Sequence, residues 1–130
     1  MQLINAVSLK EISHGKRYLE ERKDTKAEKC LKKVIEKNPS NDEAWLYLGI
    51  ARRRLKKIDG AIKCFKNATE LNGSREEAWG LLTITLIDDG KITSAKKIIE
   101  EALRLNPRNE RIRYLNKNLI HIYRKFGPFF

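Results

Sequence analysis

Apolar and polar positions along this 130-residue chain return with a period of 34 residues. Trp45, Leu48, Gly49, Ala61, Phe65 and Ala68 set the pattern. Trp79, Leu82, Ala95 and Ala102 repeat four of those places. A period of this size, with apolar residues at helical spacing, predicts an array of helix pairs. Residues 8–41 form a weaker first copy. Gly15, Tyr18, Ala27, Leu31, Val34 and Pro39 keep the register, while Glu11 and His14 stand in the Trp and Leu places. An atypical terminal copy fits an outer face with no neighbour, and His14 is expected to be half-buried and structural.

Ser8-x-x-Glu11, Thr25-x-x-Glu28, Ser40-x-x-Glu43 and Ser74-x-x-Glu77 predict helix starts as capping boxes. Pro39, Asn72-Gly73-Ser74 and Pro107 predict the stops of second helices. Asp59-Gly60 and Asp89-Gly90 predict the turns inside helix pairs. Small residues opposite large ones (Gly49, Ala61, Ala68, Ala95 and Ala102 against Trp45, Phe65, Trp79 and Ile99) predict close antiparallel packing. Residues 110–126 predict one further helix, with Ile112, Leu115, Leu119, Ile122 and Phe126 on one face. Gly127-Pro128 ends it, and Phe129 and Phe130 read as a frayed end. The predicted organisation is one domain over 1–130, with copies at 8–41, 42–75 and 76–109, a cap at 110–126 and a tail at 127–130.

Composition changes this picture only at the surface. The chain is 41% hydrophobic and 35% charged, which fits a folded, soluble protein. No apolar run is long enough to cross a membrane and no basic n-region opens the chain, so a cytoplasmic location without membrane contact is expected. The net charge of +11 favours acidic partners. It is uneven, at +4 for residues 8–41, +4 for 42–75, −1 for 76–109 and +4 for 110–130. The densest basic run is Arg52-Arg53-Arg54-Leu55-Lys56-Lys57, either a solvated helix end or an anion contact. Nucleic acid is not the expected partner, because both Trp residues are committed to packing. Cys30 and Cys64 hold the same place in consecutive copies, too far apart for a disulfide, and are expected to be free.

Candidate chemistry is sparse. His14 and His121 lie at opposite ends, no Cys and His cluster has zinc spacing, and no Gly-rich phosphate loop is present. The adjacent acidic pairs Glu76-Glu77, Asp88-Asp89 and Glu100-Glu101 diverge around a helix. No catalytic residue, metal or cofactor is expected, and the chain does not read as an enzyme.

On Trp45-x-x-Leu48-Gly49, Ala61-x-x-x-Phe65 and their registered copies, residues 8–126 resemble the tetratricopeptide repeat family. The third copy departs with Thr83, Leu86 and Ile99, the second with Arg52 and Gly73. The resemblance implies an all-α fold, a right-handed α-α superhelix of three antiparallel helix-pair repeats plus a C-terminal capping helix. It also implies a concave groove, lined by the first helices, that binds a peptide or partner helix. The groove places are Leu9, Ile12, Lys16, Leu19 and Glu20 in the first copy. They are Glu43, Leu46, Ile50, Arg53 and Arg54 in the second, and Glu77, Gly80, Ile84, Ile87 and Asp88 in the third. Tyr114, Asn118 and His121 extend them from the cap. An apolar strip of Leu46, Ile50, Ile84 and Ile87 with a basic edge suits a partner with acidic residues, and Gly80 would admit a ligand backbone. The lysine- and asparagine-based clamp by which some members hold chaperone C-termini is not restored: its places hold Ile12, Lys16, Tyr47, Glu77 and Leu81 or, one repeat further on, Leu46, Ile50, Leu81, Arg111 and Leu115. The expected function is thus a protein-interaction adaptor without that specificity. The alternatives are self-assembly through the repeat ends or the tail and, ranked below it, a basic helical repeat that binds nucleic acid.

Overall fold

The computed structural model describes residues 2–126; the side chains of 2–8, 120, 122, 123, 125 and 126 lie outside the description. Seven helices are present among the described residues and no strand. Two compact units divide the chain, Met1–Leu71 and Asn72–Phe130.

The first unit holds α1 (Gln2–Glu20), α2 (Asp24–Lys37), α3 (Asp42–Arg54) and α4 (Ile58–Leu71). The second holds α5 (Glu76–Asp88), α6 (Ile92–Leu105) and α7 (Glu110–Phe126). Helices α2, α4 and α6 begin at 24, 58 and 92, and α3, α5 and α7 at 42, 76 and 110, so the 34-residue period reaches the helix starts themselves. The expected Phe129 and Phe130 tail, and self-assembly through it, fall outside the described residues.

Each helix pair turns in the same way. Arg22, Lys56 and Gly90, one period apart, sit at φ of 61°, 63° and 76°. The N–H that follows each one reaches back to Tyr18 O, Arg52 O and Leu86 O, all at 2.8 Å. This left-handed cap closes the orphan carbonyls of the first helix. The turn therefore precedes Asp59-Gly60, which lie inside α4, whereas Gly90 falls where the sequence placed it.

Connections between pairs are built on asparagine. Asn38, Asn72 and Asn106 stand one period apart, and their Oδ1 atoms accept from the N–H groups of Ser40, Ser74 and Arg108 at 3.3, 3.2 and 3.1 Å. Asn41 and Asn109 then cap the next helices, accepting from Ala44 N and Ile112 N, each at 3.1 Å. The indole Nε1 of Trp45 donates to Pro39 O at 2.7 Å and that of Trp79 to Gly73 O at 2.9 Å, tying each connection to the following helix. The predicted capping boxes are displaced by these contacts. Ser8 lies inside α1, Thr25 inside α2, and Ser40 and Ser74 belong to the connection.

In the first unit Leu19, Ala27, Leu31, Leu48, Ala51 and Cys64 form a buried cluster, with Ile12, Val34 and Ala44 as a second. Close approach needs glycine at two places: a Cβ on Gly15 would meet Leu31 at 2.7 Å, and one on Gly49 would meet Phe65 at 2.5 Å. In the second unit the corresponding places hold Thr83 and Ile99, a larger residue against a smaller one, both buried. Ile112 and Leu119 of α7 are buried and Leu115 is half-buried, so the described part of its apolar face is covered. His14 is exposed, not half-buried: the Leu place of the first copy has no cover.

Candidate functional site

A cleft of about 440 Å³ runs along α1 in the first unit. It is lined by Leu9, Ile12, Ser13, Lys16, Arg17, Glu20 and, from α3, Glu43. Leu9, Ile12 and Lys16 share one helix face at steps of three and four. Ile12 is buried at the floor, while Leu9 is 63% exposed at the mouth. The Lys16 ammonium lies 5.2 Å from the centre of the Tyr47 ring and 3.7 Å from Glu43 Oε1. Tyr47 and then Glu43 hold the Lys16 pKa above its usual value, so it is cationic at neutral pH. The rim carries two cations, Lys16 and Arg17, and two anions, Glu20 and Glu43. Ser13 and Arg17 were not singled out in the sequence. Both stand four residues from a neighbour in the lining, the spacing that marks them as part of the same wall.

Other expected groove residues of this unit are placed differently. Leu46 is fully buried and offers no surface. Ile50 is half-buried against the cluster of Leu19 and Leu48. Arg53 is half-buried and already engaged within the protein. Arg54 donates to Leu19 O at 2.7 Å and to Asp24 Oδ1 at 3.3 Å, which makes it a tether between helices. The basic run is similarly consumed: Arg52 lies 3.4 Å and Lys57 2.7 Å from Glu28, and Arg52 also reaches Cys64 Sγ at 3.3 Å. Burial pushes Glu28 up, but the hydrogen bond and charge of Lys57 and the charge of Arg52 outweigh it and hold its carboxyl below the usual range.

In the second unit Gly80 and Ile87 are buried, Ile84 and Asn118 are half-buried, and His121 is exposed. Gly80 does not face open space: a Cβ there would meet Arg111 Cδ at 2.3 Å. The role expected of Gly80, admitting a ligand backbone, is thus taken by a side chain of the protein itself. A second cleft, of about 420 Å³, lies around Trp79, Leu105 and Asn109.

Cys30 and Cys64 are free thiols, as expected. Burial pushes both above the usual value, which makes them poor nucleophiles. Among the described residues no group of three or more His, Cys, Asp or Glu side chains is placed to hold a metal ion. No helix among them is long and apolar enough to cross a membrane.

Tetratricopeptide repeat models match residues 12–82 and 76–109. The chain belongs to the tetratricopeptide repeat family. Among curated proteins none matches it in sequence. Among solved structures it is similar to the first TPR of Spaghetti (RPAP3) bound to the HSP90 peptide SRMEEVD. That pair shares 25% identity over 88% of this chain and 91% of that one, with a TM-score of 0.78. The second TPR domain of human RPAP3, in complex with the HSP70 peptide SGPTIEEVD, shares 22% identity over 89% and 97%, at 0.79. The Sgt2 TPR domain from Aspergillus fumigatus shares 16% over 91% and 80%, at 0.80. The all-α helical-repeat fold of this tetratricopeptide repeat chain is therefore shared well beyond recognisable sequence identity. Domains of this family are in general non-catalytic modules for protein–protein interaction.

Proposed function

We propose that this tetratricopeptide repeat chain is a non-catalytic adaptor that holds a peptide or helix of a partner protein in a concave groove. The observation that carries the reading is the α1 cleft, where exposed Leu9 and the floor at Ile12 sit inside a ring of charged side chains. Apolar surface rimmed by charge marks an interaction site rather than a solvated face.

The same residues argue against the chaperone-tail specificity of the RPAP3 domains. Of the five clamp places only that of Lys16 is cationic here, and only that of Arg111 one repeat further on, and Glu43 lies 3.7 Å from the Lys16 ammonium. A ligand carboxylate would compete with that internal partner and find Ile12, Tyr47, Glu77 and Leu81 at the remaining places. Titration with an EEVD-ending peptide is expected to show no saturable binding. A dissociation constant near a micromolar, about −8 kcal/mol, would overturn this part of the reading. The groove itself is tested at Leu9. Its exposure means that Leu9→Glu can abolish partner capture from a native extract without touching the core, whereas Ile50→Glu would disturb packing as well. Undiminished capture by a folded Leu9→Glu protein places the site elsewhere.

A further inference from the structure

The asparagine-built connections differ in one reactive detail. Asn38, Asn72 and Asn106 hold equivalent places, but Pro39 and Pro107 follow the outer two, whereas Gly73 follows Asn72. Asn72 is the one asparagine of the chain with glycine after it. Glycine restores the backbone N–H that proline lacks, and it carries no Cβ to hinder that nitrogen. The Gly73 nitrogen and Asn72 Cγ belong to adjoining residues, so a bond between them closes a small imide ring. Such an intramolecular attack gains the high effective concentration of a tethered pair.

The surroundings of Asn72 favour that closure. Ser74 meets its side-chain Oδ1 twice, with the backbone N–H at 3.2 Å and the hydroxyl at 2.7 Å. A backbone N–H only donates, so the atom it meets is the carbonyl oxygen. Attack at Cγ drives negative charge onto this oxygen, where two donors already point, and donors placed in advance lower such a barrier. Asn38 and Asn106 receive a backbone N–H alone, from Ser40 at 3.3 Å and from Arg108 at 3.1 Å. The Gly73 carbonyl accepts from the Trp79 indole at 2.9 Å, and Asn72 O accepts from Arg75 N at 3.2 Å, so the peptides around the attacking atom are held in place. Among the described residues the Gly73 N–H donates to no internal acceptor. Gly73 and Ser74 are exposed, and water has access to both.

We propose that Asn72 is a self-modification site, at which the connection before α5 passes into aspartyl and isoaspartyl forms with water as the co-reactant. The chemistry is independent of the adaptor reading. In the first step the Gly73 nitrogen loses its proton and bonds to Asn72 Cγ. The bond from Cγ to Nδ2 breaks, and the amide leaves as ammonia with that proton. In the second step water opens the imide. Addition at Cγ restores the ordinary backbone with a carboxylate at position 72. Addition at the backbone carbonyl carbon routes the main chain through Cβ and Cγ, longer by one methylene, and leaves the former main-chain carbonyl as the free carboxylate. The two products differ in what they keep. The aspartyl form retains an oxygen for Ser74 and sets a negative charge ahead of the α5 N-terminus, where the helix dipole favours it. The lengthened isoaspartyl chain cannot hold both the Ser74 bonds and the Trp79 tie to Gly73. Ser74 is a positioning residue here, acting through the charge that develops on Oδ1.

The test is timed incubation of the whole folded chain in mildly alkaline buffer, followed by peptide mass mapping and isoaspartyl-specific methyl labelling. Wild type is set beside Gly73→Pro and Ser74→Ala, with melting curves for each. Asn72 is expected to convert well ahead of Asn41 and Asn109, with label appearing at the same peptide. Gly73→Pro copies the neighbouring connections and should melt no lower than wild type while staying unconverted. Ser74→Ala keeps the N–H donor and should convert about fivefold more slowly, the equivalent of one ordinary hydrogen bond. Of the separated products, the isoaspartyl form should melt below the aspartyl one. Conversion of Asn72 no faster than that of Asn41 or Asn109, or continued conversion in folded Gly73→Pro, overturns the site. An unchanged rate in folded Ser74→Ala overturns the part given to its hydroxyl, and equal melting of the two products overturns the structural consequence.

Discussion

The two units keep one repeat frame by different chemistry. Helices α3 and α5 are both 13 residues long and begin one period apart. In the first unit α3 ends on Arg52-Arg53-Arg54, and α2 answers with Glu28 and Asp24. In the second unit the places of Arg52 and Arg53 in α5 hold Leu86 and Ile87, both buried. Thr83 and Thr85 are buried too, and their hydroxyls donate to Trp79 O at 2.8 Å and Leu81 O at 2.6 Å on their own helix. The tight pair Gly49 and Phe65 of the first unit has Thr83 and Ile99 in its places in the second. Summed volume and satisfied polar groups preserve the geometry, and residue identity is free to change around them. The exchange also moves the available charge. Arg52, Arg54 and Lys57 of the first unit pair with Glu28 and Asp24, while the place of Arg54 in α5 holds Asp88.

Breaking the volume match should have the largest effect. Gly49→Thr puts a branched side chain where a single Cβ already meets Phe65 at 2.5 Å, and is expected to cost about 3 kcal/mol in urea unfolding. Adding Phe65→Ile, which copies the third repeat into the second, should recover more than half of that loss. No recovery would show that the two units do not solve the same packing problem.

Next comes the polar tie. Glu28→Gln leaves Arg52 and Lys57 without their anion and is expected to cost about 1–2 kcal/mol at pH 7. The pH dependence has a defined sign. The folded pKa of Glu28 is depressed, so its contribution is complete above the unfolded value of about 4.3 and is lost as pH falls through the folded value. Melting temperatures between pH 7 and 3 should therefore fall more steeply for wild type than for Glu28→Gln. Parallel curves would mean that the pair contributes nothing.

The turns sharpen the comparison at a smaller scale. The first unit uses Arg22 and Lys56 where the second uses Gly90, all left-handed. Lys56→Gly should stabilise by up to about 1 kcal/mol and Gly90→Ala should destabilise by about as much, read from denaturant midpoints. The smallest effect belongs to the surface: Leu9→Glu should shift stability by no more than about 0.5 kcal/mol.

The 34-residue period, the helix pairs and the two free thiols were legible because small and large apolar residues recur where helices must meet. The helix starts were misplaced by a residue or more. Ser-x-x-Glu and Asn compete within the same few positions, and the shape of the connection favours the amide of Asn41 over the hydroxyl of Ser40. Among site residues, spacing gave the direction of each side chain but not its cover. Leu9, Ile12, Lys16, Glu20 and Glu43 gather at one cleft. Leu46 is fully buried and Ile87 nearly so, and Gly80 is capped by a long side chain from 31 positions later. Coverage of that kind depends on where a flexible arginine comes to rest, which periodicity does not encode.

The central claim is that the exposed face of α1 at its cleft, not the packed core behind it, holds a partner peptide. The most direct measurement is calorimetric titration of a peptide from a captured partner into wild type and Leu9→Glu, with melting curves alongside. The account predicts loss of measurable binding in Leu9→Glu at an unchanged melting temperature. Equal affinity in the two folded proteins would contradict it.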